Sequence, residues 1–460
     1  MEVITLTILL LVSAVFHRTG FAEDLKTFTC TVQNENHPPD THDDPFIVQY
    51  IFPLLPMTCS ENKPTVTKLF ISTGSDHNET NGTISFLNQN IDDIFFSISP
   101  SEGIYIDVPD TAVSSVLDFI GNMLLNTTVV VSADETVRVY VQQYCNNTAV
   151  GSYGQCSTTY RVRGVDEIGR EYWVLMHYFD DIAKIAILAL EDDTIVLLTP
   201  PSYSTDDTLE VTIHAFQTLY VGYMSDISGT KINASRPILV LFSYQSWNTP
   251  YADYICASLI DCLDDVSRWD RHVVLYSGEW WSWQHATYKL LSPFDTDINV
   301  TSGAGYTEEL SVNSSEFIIH NVDIVDNDKG YIEFNATNPI LILEISYQAI
   351  QANIVPPLAR DVITEVTFPV STENEWNPFY LVLWLSNGTR ATDVTIDDSF
   401  EFSFEEYSDM DRPIIISSML TFDFTHKINT FNGTHILRAK MHAQSDFAFS
   451  HFELGNYYVL

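Results

Sequence analysis

Apolar and polar residues along this chain change places in short runs, and a helical period shows only once. Phe46–Phe52 reads FIVQYIF. Lys68–Thr73 and Thr83–Leu87 read KLFIST and TISFL about a turn rich in Gly, Asn, Asp and Ser, the pattern of a hairpin. Val113, Val116, Leu117, Ile120 and Leu124 then keep helical spacing behind Pro109 and Asp110. They predict one short helix near 110–125 with Asp110 as its N-cap. From about residue 160 the strands read EYWVLMHYF, AKIAILAL, TIVLLT, LEVTIHAF, LYVGYM and PILVLFSY, separated by acidic or glycine-bearing turns. Further on, Phe400, Phe402 and Phe404 alternate with polar residues, as do Leu420, Phe422 and Phe424. Short strands with frequent turn signals predict an all-β protein.

The pattern repeats. Asn233–Leu241, NASRPILVL, returns 102 residues later as Asn335–Leu343, NATNPILIL, with six of nine positions identical. Asp193–Thr199 is answered by Asp295–Thr301, and Glu171–Tyr178 by Trp269–Tyr276. Ser132–Val141 is a weaker copy, and Ser445–Phe449 a frayed one. Evenly spaced self-similarity marks a repeated structural unit. The expectation is therefore a leader over 1–22 and four β units over 23–150, 151–255, 256–355 and 356–460. Units of this length suit sandwiches or barrels, with propeller blades, at about 40–50 residues, as the alternative. Ile238–Phe242 and Ile340–Glu344 should be equivalent inner strands. Each proline opens its apolar run, where a strand tolerates a missing donor.

Composition places this fold outside the cell. Val3–Phe16 is an apolar run ahead of Gly20-Phe21-Ala22, the pattern of a secretory leader, although Glu2 stands where a base is usual. No other stretch is long and apolar enough to span a membrane. Six cysteines suit an oxidising compartment, and proximity suggests the pairs Cys30–Cys59, Cys145–Cys156 and Cys256–Cys262. Glycosylation sequons stand at Asn78, Asn81, Asn126, Asn146, Asn233, Asn299, Asn313, Asn335, Asn387 and Asn432. Asn233 and Asn335 hold the same slot of the repeat, so that slot should face solvent. With 21 Lys and Arg against 61 Asp and Glu, the net charge of −40 repels phosphate backbones and argues against a nucleic-acid partner.

Candidate chemistry is sparse. No HExxH, Gly-x-Ser-x-Gly or phosphate-binding glycine loop is present, and neither cofactor nor metal is implied. Asp326–Gly330 fails the calcium-loop spacing and reads as a β-turn. His272 and His285 sit in strand-like surroundings and read as structural. Trp280, Trp281 and Trp283 read as core tryptophans. The acids supply so many pairs that none singles itself out for a hydrolase, which stays the alternative to a binding protein. The segment Tyr244–Asp265 is long for a connection. It carries Trp247, Tyr251 and Tyr254, and loop aromatics are favoured contact residues. These three form the candidate binding site, pre-organised by a Cys256–Cys262 bridge.

Gly169, Glu171, Tyr172 and Val174 resemble the opening strand of the N-terminal region of the IgG-Fc-binding proteins. Glu191, Asp192, Thr194 and Val196 resemble its next hairpin. Asp226, Gly229, Thr230, Ile232, Ser235, Pro237 and Phe242 follow its third motif, and Cys256, Cys262, Leu263 and Trp269 its cysteine-bearing continuation. Asp264 is displaced from the family's usual Asp, Arg236 replaces a Lys, Tyr244 replaces a Gly, and the likeness is clear over about 160–350. Von Willebrand D-type modules do not follow. The resemblance implies an extracellular binding role without catalysis, with an extracellular protein or glycoconjugate as partner and a place in mucus or matrix. It does not imply antibody binding.

Overall fold

The computed structural model describes residues 7–8, 28–29, 47–55, 65–74, 79–87, 89–113, 120–145, 157–176, 182–204, 207–249, 252–277, 285–303, 305–323, 330–345, 352–355, 365–369, 379–386, 391–397, 405–407, 414–420, 425–430, 436–443 and 451–453. After a short ladder of β1 (Thr7–Ile8) and β2 (Phe28–Thr29), the strands fall into four sets. The first holds β3 (Ile47–Pro53), β4 (Thr65–Thr73), β5 (Thr80–Leu87), β6 (Ile94–Ile98), β7 (Gly103–Asp107), helix α1 (Asp110–Val113), β8 (Gly121–Leu125), β9 (Thr128–Ala133), β10 (Val137–Cys145) and β11 (Ser157–Arg161). Its front sheet runs β3-β9-β5-β6 and its back sheet β11-β10-β4-β7.

The second set holds β12 (Gly169–Trp173), β13 (Ala183–Ala189), β14 (Thr194–Thr199), β15 (Leu209–Ile213), β16 (Thr218–Tyr223), β17 (Lys231–Thr249) and β18 (Ala252–Cys262). Here β17 serves both sheets. Its first half pairs β12 and β14, and its second half pairs β13 and β18.

The third set is β19 (His272–Ser277), β20 (His285–Leu291), β21 (Thr296–Ser302), β22 (Thr307–Val312), β23 (Phe317–Asp323), β24 (Gly330–Ala336), β25 (Leu341–Ile345) and β26 (Ala352–Val355). Its sheets, β19-β24-β21-β22 and β26-β25-β20-β23, repeat the first set's order. The fourth set is β27 (Glu365–Pro369), β28 (Phe379–Leu385), β29 (Val394–Ile396), β30 (Glu405–Tyr407), β31 (Ile414–Leu420), β32 (Thr425–Thr430), β33 (Ile436–Ala443) and β34 (His451–Glu453). It keeps the plan as β27-β32-β29 and β30-β31-β28-β33-β34.

The registers bear out the repeat at the motif and at Asp193–Thr199, and they correct one match: Glu171 corresponds to His272, three residues beyond Trp269. Asn233 stands opposite Glu171 and Leu197, and Asn335 opposite His272 and Asn299. Val240 faces Ile187 as Ile342 faces Leu290. The recurring motif is the place where the chain leaves the front sheet for the back one. Pro339 falls in the gap between β24 and β25, where no ladder asks for its missing N–H. The fourth crossing lies between β32 and β33, whereas the frayed copy Ser445–Phe449 lies outside the described residues.

The long apolar runs follow from burial on both faces. In β13, Ile185, Ile187 and Ala189 fill the second set's own core, while Ala186 and Leu188 join the core of the first set. In β17, Ile238, Val240 and Phe242 face inward and Leu239 and Leu241 face the first set. The second set's back sheet thus packs on the first set. Leu341, Leu343 and Ile345 of β25 do the same against the second set. The series returns on itself. Ser72 of β4 donates to Thr367 O of β27 at 3.2 Å, and Thr367 donates to Ser101 O at 3.3 Å. Strand β11 runs beside both β18 and β34. The last of the sandwich units therefore meets the first.

One sequence expectation fails for a local reason, and another holds over a shorter span. KLFIST and TISFL form no hairpin: β4 and β5 sit in opposite sheets, so their apolar faces meet across the core. The expected short helix is present as α1, described over Asp110–Val113, but it does not run to residue 125. Gly121, at φ +102, breaks the path, and 121–125 is strand β8, whose ladder partner is β16 of the second set. Ile120 and Leu124 are exposed. Within the described residues, no helix is long and apolar enough to cross a membrane.

At the seam of the second and third sets, one cation replaces apolar packing. Lys289, which takes the register position of Ala186, donates to Met176 O at 3.0 Å, Asp226 Oδ2 at 2.7 Å and Ser228 Oγ at 2.7 Å. Its ammonium lies 3.8 Å from the Phe317 ring centre. Lys289→Met keeps the stem's packing and orphans these acceptors. We expect a loss of ~1–3 kcal/mol in urea unfolding; unchanged stability would show that the seam does not need the cation.

Candidate functional site

The segment from Tyr244 to Asp265 is not the free loop that its length suggested. Most of it is a ribbon, with Tyr244 opposite Leu259, Ser246 opposite Ala257 and Thr249 opposite Ala252. Each strand satisfies the inner-edge backbone groups of the other, so the long segment carries its own ladder. Trp247 occupies the register break between Ser246 and Asn248. Bulges of this kind re-aim a side chain. Tyr254 lies on β18 across from that bulge, so the ribbon brings the backbones of Trp247 and Tyr254 to neighbouring rungs. Tyr251 lies outside the described residues.

The proposed Cys256–Cys262 bridge is also corrected. Both residues lie on the single strand β18. Six extended residues span ~20 Å, against the ~7 Å that a bridge allows. Cys262 is a free, buried thiol, and burial pushes its pKa up to about 12, so it stays protonated and unreactive. Cys145 ends β10, while Cys30, Cys59 and Cys156 lie outside the described residues. So do Trp280, Trp281, Trp283 and Asp326–Lys329. His272 Nε2 lies 2.6 Å from Oε1 of the buried Glu333, a contact that fits its structural reading.

What holds the ribbon's root is a buried ionic cluster drawn from two stretches that lie far apart along the chain. Arg161, at the end of β11, donates to both Glu167 oxygens at 2.9 Å. Glu167 also accepts from Gly164 N at 2.8 Å. Burial pushes this carboxyl up, but Arg161, Arg163 and the Gly164 N–H outweigh it and hold it below its ordinary value. Arg163 donates to Asp264 Oδ2 at 2.8 Å, just past the end of β18. Trp269 Nε1 donates to Asp264 O at 3.1 Å.

Asp265 caps the 3-10 turn Val266–Arg268 by accepting from Ser267 N at 2.9 Å. It also accepts from Arg170 N and Glu171 N, at 2.8 and 2.9 Å. Gly169 is required beside it, because a Cβ there would lie 2.0 Å from Asp265 Oδ2. Tyr172 accepts from Gly169 N and donates to Ile238 O, each at 2.7 Å. The cluster ties the first set, the second set and the ribbon at one point.

A family model described as IgGFc binding protein matches residues 157–448. The chain belongs to that family. No curated protein matches it. The IgGFc-binding match starts at β11 and ends beyond β33, so it reaches past the 160–350 stretch where the likeness is legible by eye. The family motif residues Gly169, Tyr172 and Leu263 are part of this joint or its adjoining core. Asp226 and Gly229 form the turn that receives Lys289, with Gly229 at φ +88. In this structure these motif residues build the frame, and none of them lies on the ribbon's outer part.

Arg161, Arg163, Glu167 and Lys289 escaped the sequence reading. The one available signal is that bases are scarce in so acidic a chain, and two of them stand two residues apart beside a strand end.

Asp261, on β18 next to Cys262, gives the joint a pH dependence. Burial pushes its carboxyl up to about 7, and Arg163 offsets this only in part. The unfolded value is about 3.9. Between these values the folded chain binds a proton that the unfolded chain does not, so this residue's contribution to stability falls as pH rises from about 4 to about 7. Asp261→Asn should flatten that slope and raise the melting temperature at pH 8. An unchanged slope in the variant would contradict the assignment.

Proposed function

We propose that this chain is a secreted, N-glycosylated binding module that engages an extracellular protein or glycoconjugate through the β17–β18 ribbon. The carrying observation is the ribbon itself. Its backbone sets Trp247 at a bulge and Tyr254 on the opposite strand, on a two-stranded arm that leads out of the ionic joint. A pre-formed arm loses little entropy when it binds. Aromatic residues are the usual anchors of such contacts.

Membership of a family of binding proteins, generally non-enzymatic, supports this reading over a secreted hydrolase. The sequons agree with an extracellular setting: Asn81, Asn126, Asn299, Asn313 and Asn335 are exposed, while Asn233 is half-buried. Asn78, Asn146, Asn387 and Asn432 lie outside the described residues. The leader over 1–22, a Cys145–Cys156 bridge and a mucus or matrix setting belong to the same proposal.

Replacing Trp247, Tyr251 and Tyr254 together by Ala in chain exported from a secretory host tests it. Capture of partners from extracellular fluid should fall at least ~tenfold with an unchanged melting curve. A large drop in melting temperature, with binding per folded molecule intact, would instead make the three residues structural. An exported chain that keeps its first 22 residues, or binds with no glycan attached, would remove the corresponding part of the proposal.

A further inference from the structure

Sheet edges expose unpaired N–H and C=O groups and must be covered or tolerated. In the second set the outer edge of β16 is covered by β8, a strand that comes from the first set's segment of chain. The two run antiparallel, with Thr218 opposite Leu125, Tyr220 opposite Met123 and Gly222 opposite Gly121. In the fourth set, β30 covers the corresponding edge of β31. The third-set counterpart is β23. It pairs with β20 on one side, and among the described residues nothing pairs with its other edge.

One side chain registers the difference. Tyr220 stands opposite Ala186, and Ile319 opposite Lys289, so the two hold the same place in their sets. Tyr220 is fully buried, with its hydroxyl 2.7 Å from Thr127 Oγ1 and donating to Leu54 O at 3.1 Å. Ile319 is 60% exposed. The strand reads FIIHNVD, without the Lys or Pro that usually guards an edge. The first set's β7 is a weaker case, since its residues 103–106 are half-buried and it ends on Asp107.

We propose that the outer edge of β23 takes an extended strand of a partner protein, apolar at alternate positions and flanked by Lys or Arg, by the antiparallel addition that β8 makes on β16. Main-chain bonds would supply the affinity and the Ile319 face the side-chain preference. Charge selects the occupant. Glu316 and Asp323 bracket the strand, Glu308 and Glu309 lie on β22 of the facing sheet, and the chain carries −40 overall. A second copy would bring the same charge to the seam, whereas a basic-flanked strand is attracted. This edge is separate from the ribbon and does not rest on the reading of it.

The probe is a synthetic peptide with the β8 sequence Gly121–Leu125 between paired lysines, added to the full chain. Two further versions carry backbone N-methyl groups on alternate residues, one on the odd set and one on the even set. Strand addition predicts that one methylated version loses binding at least ~tenfold while the other stays within about threefold. It also predicts that Ile319→Asp weakens the unmodified peptide at least ~tenfold without shifting the melting curve. Equal binding of all three peptides, indifference to Ile319→Asp, or no binding up to about 1 mM would overturn the proposal. Self-association of the chain that Ile319→Asp abolishes would assign the edge to a second copy and overturn it as well.

Discussion

Burial of the back-sheet strands on both faces is the constraint on which the rest of this structure depends. A free-standing sandwich needs one apolar face per sheet. Here β13 and the second half of β17 must satisfy two cores, their own and that of the preceding set, and every residue of β13 is buried. That requirement writes AKIAILAL and PILVLF into the sequence. It also makes the sets interdependent, because a back sheet without its neighbour would expose a continuous apolar face.

Where apolar contact gives way, the seams use specific polar devices. Lys289 is saturated by Met176, Asp226 and Ser228. The Arg161–Glu167 and Arg163–Asp264 pairs lie at the junction of β11, β18 and the start of the second set. Removing one member of such a buried pair strands the other in a poor solvent for charge, so these groups fix the geometry of the joint. At the first set's own outward face the same register slots hold Phe70, Tyr105 and Tyr140. Their rings contact one another at 5.0 and 6.1 Å, on the side that meets β27. The seams are alike in position and different in chemistry, which suits a closed circuit in which each interface must find its own neighbour.

The sequence shows much of the fold and little of the site. Strand positions and the 102-residue repeat are legible because period-two patterning and the proline at the second and third sheet crossings are local signals. The false hairpin at KLFIST and TISFL arises because alternation does not say which sheet a strand joins. The helix expected near 110–125 stops short of Gly121 because the ladder of 121–125 to β16 overrides the helical spacing of Leu124. Tyr244–Asp265 reads as a loop because its polar residues are paired only by a partner strand within the same segment. The ionic joint is silent in sequence, since Arg163 and Asp264 are 101 residues apart and only the fold brings them together.

The central claim is that four repeated sandwiches close on themselves, with the last meeting the first. Ser72 and Thr367, 295 residues apart in sequence, touch only if they do. Cysteines placed at both positions and exposed to a mild oxidant should form an intramolecular bridge, seen as a faster-migrating band on a non-reducing gel and as a linked peptide pair. If both thiols instead remain alkylatable in the folded chain, the circuit is open and this account of the architecture is wrong.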